Sequence, residues 1–573
     1  MRRLSFRRRW LFRGAAMLCG ILPFLVLELL LLLFGVGHDL RLVVPVSGAK
    51  GWYRLNPRFD QAYYGKSDLI GPEDRPFQLP KPPGVRRILV VGGSTVIGFP
   101  YSPELAFPRQ LQVLLQNSAP SGQINEVLNA GITAWSSTTE VAVVNEAVAC
   151  DPDLIVIYTG HNEFYGPGGV VSAGGSLSPG WYRTLSGWRR WRIMQVLSGL
   201  LSPAAPSKKN LLEQLAADVR IPENGPAFKA AVKRLEANLE TMVALASRRS
   251  IPVLLVSPVS NERHQPPIEP ALPQTTEPSE PAWMAVFRKS ESQLGLDQPQ
   301  AALPLLESIT DVAGNTAIVQ YRLAQVHDRL GNYSVAAEHY RRALDLDGGR
   351  FRAPSVFRDV FERVAQRHVS DRVQFLDLRR ELVRDDPTGI PGNRHFLEHV
   401  HFTWEGNGAV AQALARCVHE KFYPAEAQTK QLVSLDTMAE LLYVQPEDHL
   451  AAEILSMAVY DTPPFRNAAD AQLLAQRLGL GVWSKYPQLT PARRQIFEDL
   501  SSREMATDTM SSLLKRAQDL GQTEEVGSLL DALVHRRPWL CSARAKYLVW
   551  LKTQGNSVLV TETEAESHSW PCP

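Results

Sequence analysis

Arg87-Ile88-Leu89-Val90-Val91-Gly92-Gly93-Ser94-Thr95 is a short apolar run that stops at two glycines and a pair of hydroxyls. Four further runs of the same kind follow, at Ile124 to Leu128, Leu154 to Tyr158, Ile251 to Val256 and Val373 to Leu376. Helical patterns fall between them, at Phe107 to Leu115, Thr138 to Ala149 and Phe228 to Arg248. Continuously apolar strands separated by helices predict an α/β fold with a parallel sheet covered on both faces. Functional groups of such sheets gather beyond the carboxyl ends of the strands. Ser94, Gly131 and Asn162 all stand just past such ends.

The 573 residues exceed what one core holds, so two or three domains are expected. A hydrophobic share of 45% and a charged share of 21% mark a globular chain. The net charge of +2 is unevenly spread, with six arginines between Met1 and Arg13 and an acidic excess after them. Bulk charge therefore gives no support for a nucleic acid partner. The basic start leads into Gly14 to Gly35, roughly the 20 apolar residues that cross a bilayer as a helix. Its one charge is Glu28, a cost the surrounding leucines can carry. Arginine before the span and little after it predicts a single-pass inner (cytoplasmic) membrane protein, N-terminus inside, with the remainder in the periplasm or outside. The other reading of this segment is a cleaved signal peptide; Phe34-Gly35-Val36-Gly37-His38 makes a poor cleavage site, which favours an anchor. The cysteines Cys19, Cys150, Cys417, Cys541 and Cys572 show neither a CxxC pair nor zinc spacing, and they read either as buried thiols or, for Cys541 with Cys572, as a disulfide.

Two stretches interrupt the strand and helix alternation. Gly166 to Leu201 carries Trp181, Trp188 and Trp191 among Arg183, Arg189, Arg190 and Arg192. Such a segment lies on a membrane surface, covers a pocket, or is an ordinary surface helix. Asp297 to Asp347 carries two helical stripes around a Gly331-Asn332 turn, with Leu330-Gly331-x-Tyr333 followed by Ala337 and Ala343. This pattern resembles a tetratricopeptide repeat, too short to stand alone and so expected to pack on a neighbour. From about Leu432 the chain is helical, with apolar faces at Asp448 to Val459 and Met505 to Val534 and a polar tail from Asn556.

The chemistry sits in four pieces. Ser94 offers a hydroxyl in a tight strand-to-helix turn, as a nucleophile requires or as a helix N-cap. Asn129-Ala130-Gly131-Ile132 offers a backbone N–H, or simply turns the chain. Tyr158-Thr159-Gly160-His161-Asn162-Glu163 offers a neutral amide fit for an oxyanion, with His161 beside it as its support or a substrate contact. Glu398-His399-Val400-His401 places a carboxylate three residues before a histidine, which can hold the imidazole by one nitrogen and leave the other for serine. Glu398, His399 and His401 could instead ligate a metal, though no HExxH-type helix accompanies them.

In that order the four pieces resemble the SGNH (GDSL-type) hydrolase family, in a bacterial membrane-anchored branch with an inserted tetratricopeptide-like segment. The likeness covers about Arg87 to Glu262 and Phe351 to Phe422. It implies a flavodoxin-like three-layer α/β/α parallel sheet, the SGNH hydrolase fold. It also implies Ser94 as nucleophile, His401 as base, and Glu398 as the acid that orients it. Ser94 N–H, Gly131 N–H and the Asn162 amide then form the oxyanion hole. No cofactor or metal is expected. The chain departs from the family pattern with Gly93 in place of the aspartate of GDS, Glu163 in place of aspartate, and Glu398 in place of aspartate. Asp377, at the end of Val373 to Leu376, is a competing acid.

The expected organisation is a basic cytoplasmic segment (1–13) and an anchor (14–36). The hydrolase domain follows in two parts (50–285 and 348–425) around a tetratricopeptide-like insertion (286–347), and a helical C-terminal domain (426–573) ends the chain. The expected function is an ester hydrolase acting through an acyl-Ser94 intermediate on an acylated glycan or lipid of the envelope. Two others compete with it: O-acyl transfer to a glycan hydroxyl at the same site, and an inactive scaffold that binds a protein through the helical repeats.

Overall fold

The computed structural model describes residues 6–64, 70–172, 177–201, 220–268, 281–369, 372–423, 433–567 and 569–571. A first sheet of β1 (Val43–Pro45), β2 (Trp52–Leu55) and β3 (Pro76–Gln78) is antiparallel, in that order. The second contains β4 (Val85–Gly92), β5 (Ile124–Gly131), β6 (Leu154–Tyr158), β7 (Val253–Val256) and β8 (Val373–Leu376). All its neighbours pair in parallel, in the order β5-β4-β6-β7-β8. That is the flavodoxin-like order, and all five apolar runs of the sequence are its strands. Ile88 to Val91 and Leu154 to Ile157 are wholly buried. Burial on both faces is why these strands lack polar alternation.

Helices Phe107–Ser118 and Trp404–Phe422 pack on each other, and Pro226–Ser247 packs on both Ser137–Ala147 and Val356–Arg367. These two groups flank the sheet. Strand order reverses between β4 and β6, where such folds open a crevice. Gly92 pairs with both Gly131 and Tyr158, so β4, β5 and β6 end level and their following turns meet there.

Between β7 and β8 the chain inserts helices Ala282–Gly295, Pro299–Glu307, Thr310–Ala313, Ala317–Arg329 and Tyr333–Leu346, with an apolar core of their own. Ala317–Arg329 and Tyr333–Leu346 form a hairpin whose turn puts Gly331 at φ +79, and Tyr321 meets Tyr340 across it with ring centres 5.4 Å apart. Arg263, beyond β7, grips Asp328 of the hairpin through two 2.7 Å hydrogen bonds.

The C-terminal region is all helical from Leu435 to Ser567 among the described residues. Its first helices share the core of the sheet through Met438, Ala452, Val459, Phe465 and Leu478. These helices therefore pack directly on the sheet's core. A separate core forms in the later helices around Leu450, Ile496, Leu513, Leu529 and Tyr547. The helical face expected over Met505 to Val534 falls on Ser502–Asp519, broken by a kink at Asp508, and Thr523–Arg536, the two parted at Gly521 with φ +68. The expected polar tail is in large part a helix, Ser557–Ser567. Cys541 is disulfide-bonded, while Cys572 lies outside the described residues. Cys150 and Cys417 are buried thiols.

At the other end, helix Phe6–Leu33 contains Ala15–Leu33, a stretch long and apolar enough to cross a membrane. Of the tryptophan-bearing stretch Gly166 to Leu201, residues 173–176 lie outside the described residues. The remainder contains helices Pro179–Trp188 and Arg192–Leu201.

Candidate active site

Ser94 opens the short helix Ser94–Ile97 directly after β4 and is half-buried. Its Oγ lies 2.7 Å from Nε2 of His401. The other nitrogen, Nδ1 of His401, is hydrogen-bonded to Oε1 of Glu398. Glu398 is 1% exposed and also accepts the backbone N–H groups of His399, Val400 and His401, the last two at 3.3 and 3.2 Å. Serine, histidine and carboxylate thus form one continuous line, across 307 residues of chain.

The loop that carries His401 is held from several sides. Leu397 N–H donates to His401 C=O at 2.9 Å and closes the turn. Asn261, beyond β7, donates its side-chain amide to Glu398 C=O at 3.1 Å and its N–H to His399 C=O at 2.9 Å. Arg477 of the C-terminal region donates to Leu397 C=O, and Phe465 packs its ring 4.4 Å from that of His399. Phe99 stands edge-on to His401, with ring centres 4.9 Å apart. Thr403 then caps helix Trp404–Phe422 by accepting Gly406 N–H at 2.9 Å.

Burial pushes His401 down to about 3, so the ring is neutral and can receive a proton. The carboxylate on its Nδ1 opposes this by stabilising an imidazolium as it forms. His161 is likewise pushed down to about 3 by burial and by His401. Its Nδ1 accepts Ala353 N–H at 3.4 Å and its Nε2 lies 3.3 Å from Tyr158 Oη, so the ring is a buried strut and not a second base. His399 is pushed down by burial and then by His401 and His161.

Asn162 turns its amide toward the same place. Nδ2 donates one hydrogen to Trp135 C=O at 3.0 Å and has a second to offer. A Cβ added at Gly93 would sit 3.0 Å from that Nδ2. Glycine at position 93 thus leaves the amide its room. Glu163 accepts both the N–H and the Oγ–H of Ser137 at 2.7 Å. It therefore pairs an N–H that a helix start leaves without a partner and fixes the turn behind Asn162. Burial raises its pKa.

Two of the expected residues are engaged elsewhere. The N–H of Gly131 donates to Oδ1 of Asn129 at 3.0 Å, so it is engaged within its own strand end. Gly131 is required for a different reason: a Cβ there would lie 2.3 Å from Ile97 N. Three residues on, Ala134 adopts φ +63, and its N–H makes no hydrogen bond among the described residues. It adjoins Trp135, whose carbonyl holds Asn162. Asp377, the competing acid, caps helix Leu378–Leu382 by accepting Arg380 N–H at 3.2 Å and pairs with Arg358 at 2.7 Å. Its carboxylate is spent there and not on His401.

Glu398, His399 and His401 also offer three ligand atoms within 4.8 Å of one another. Glu398 is already shared by three backbone N–H groups and His401, and His399 Nδ1 lies against it without hydrogen-bond alignment.

No family model and no curated protein matches the chain. Among solved structures, it is similar to a protein of Desulfitobacterium hafniense DCB-2 described as lipolytic and of the G-D-S-L family, at 12% identity and a TM-score of 0.24, covering 58% of this chain and 98% of that one. It is also similar to an acetyl xylan esterase, AlAXEase, at 11% identity and a TM-score of 0.26, covering 58% and 99%. Likeness at this level carries no weight for function, which rests on the side-chain geometry.

Proposed function

We propose that the protein is a serine ester hydrolase, and the observation that carries this is the line from Ser94 Oγ through His401 to Glu398. In this reading His401 Nε2 takes the Ser94 proton as Oγ attacks the acyl carbonyl. Glu398 holds the tautomer and stabilises the imidazolium. The oxyanion meets the Ser94 N–H, the second hydrogen of the Asn162 amide and, in place of Gly131, the N–H of Ala134. His401 then protonates the departing alkoxide, and water repeats the sequence in reverse to free the acid and Ser94.

The apolar helix at the N-terminus supports an anchored protein, with the arginines of Met1 to Arg13 on the cytoplasmic side and the site outside. On that reading the substrate is an acylated glycan or lipid of the envelope. The helical hairpins between β7 and β8 are read as a tetratricopeptide-like insertion at 286–347 that splits the hydrolase domain into 50–285 and 348–425. That insertion supplies a surface for a protein partner.

The experiment is turnover of a short aryl ester by the full chain, with a fluorophosphonate as covalent probe. Turnover lost in Ser94→Ala, and a phosphonate adduct on Ser94, are expected. Unchanged turnover in Ser94→Ala overturns the proposal.

A further inference from the structure

Glu28 is the one charge between Ala15 and Leu33. A carboxylate inside an apolar span is costly unless it is paired. Its two oxygens accept the backbone N–H groups of Arg192 at 2.8 Å and Ile193 at 3.0 Å, the first residues of helix Arg192–Leu201. Those are donors a helix start leaves without partners, and the carboxylate also meets the positive end of that helix.

The junction extends beyond this pair. Arg192 Nη1 donates to Val36 C=O at 2.6 Å and Gly37 C=O at 3.1 Å. Gln195 and His38 exchange hydrogen bonds of 2.8 and 3.0 Å. The rings of Trp191 and Phe24 are 5.7 Å apart. Glu28 lies about 7.5 Å inside the end of its helix, at 1.5 Å per residue from Leu33. The second helix therefore starts at membrane depth if the first crosses a bilayer.

The faces of this segment are arranged opposite to those of a soluble surface helix. Arg183 donates to Thr138 C=O, Arg189 to Tyr63 C=O, and Arg190 pairs with Glu146, so these cations turn toward the sheet domain. Ile193 and Tyr182 pack inward, while several large apolar groups turn outward: Trp181 is 62% exposed, Trp188 54% and Leu200 77%. Indoles at the margin of an apolar face are the composition of a membrane interface.

We infer that helices Pro179–Trp188 and Arg192–Leu201 form a second membrane-contacting element, seated in the outer leaflet of the bilayer that Phe6–Leu33 crosses and docked on that helix by Glu28. The inference rests on Phe6–Leu33 as a span and is independent of the chemistry at Ser94. Through Arg183 and Arg190 the element also grips helix Ser137–Ala147. The sheet domain is thereby held in one orientation to the lipid, where a linker alone would let it turn.

The test is photolabelling of the full chain in phosphatidylethanolamine and phosphatidylglycerol vesicles that contain a diazirine phospholipid. Adducts are mapped by mass spectrometry. Adducts in 15–33 and also in the peptides of Trp181, Trp188 and Leu200 are expected. Adducts in 15–33 alone overturn the proposal, and their absence from 15–33 removes the span and the proposal with it. Glu28→Leu should cut adducts at Leu197 and Leu200 severalfold, with labelling of 15–33 and aryl-ester turnover unchanged. Undiminished adducts there in Glu28→Leu overturn the docking by Glu28.

Discussion

Glu398 reaches His401 from three residues away in the same turn, while Asp377 lies on Arg358. Glu398→Gln keeps the shape but offers Nδ1 a poorer partner and loses the charge that steadies the imidazolium. It should lower kcat on an aryl ester by about 10³–10⁴-fold. Asp377→Asn should leave kcat close to that of the parent chain, because it touches only a helix cap and an ion pair. Steady-state kinetics of the two variants side by side decides which carboxylate serves the base.

Chelation separates the hydrogen-bonded line from a metal site built on Glu398, His399 and His401. Prolonged dialysis against a strong chelator should leave aryl-ester turnover unchanged. Loss of turnover that zinc restores would count for the metal.

Gly131 and Ala134 should respond in opposite directions. Gly131→Ala drives a methyl into the backbone at Ile97, inside the short helix begun by Ser94, and should lower both thermal midpoint and turnover. Ala134→Gly relieves a left-handed alanine and should raise stability by about 1 kcal/mol, with turnover retained. Calorimetry and kinetics on the same preparations check both.

The pH response follows from the buried imidazoles. In the proposed mechanism His401 must be neutral to accept the serine proton, and burial pushes it down to about 3. The acid limb of kcat/KM should therefore lie below the 6.5 of a free imidazole. Stability should change in the same window. His161 and His401, both about 3 when folded, and His264, about 4, take up protons near 6.5 once unfolded. At these three imidazoles the unfolded chain binds more protons than the native one, so their contribution to stability should fall as pH drops from about 6.5 toward 3, while the buried carboxyls of Glu73, Glu140 and Glu163, raised by burial, act the other way. Denaturant melts across that range measure it.

The strands were legible because a parallel sheet buries both faces of each strand and leaves unbroken apolar runs such as Ile88 to Val91. Ser94, Asn162 and the Glu398–His401 spacing were legible because each is local. The fate of the Gly131 N–H was not: it depends on where the Asn129 side chain turns, and no pattern of residue types encodes that. Ala134 carries no sign either, since alanine rarely adopts φ +63 and only the turn around it shows the strain. The choice between Glu398 and Asp377 required the position of Arg358, on the helix just before β8, whose side-chain direction no residue pattern gives. Glu28 looked like an unpaired cost in the span because its partners lie 164 and 165 residues away.

The clamp of Arg477 on Leu397 has a consequence in time. A growing chain presents Ser94 early, but the loop with His401 arrives 307 residues later, and its clamp later still. A chain that stops before His401 therefore carries Ser94 without that partner, and one that stops between His401 and Arg477 lacks the clamp. On the proposed chemistry the serine gains its base only once His401 has been made and its clamp only once Arg477 has, so the growing chain is its own safety catch.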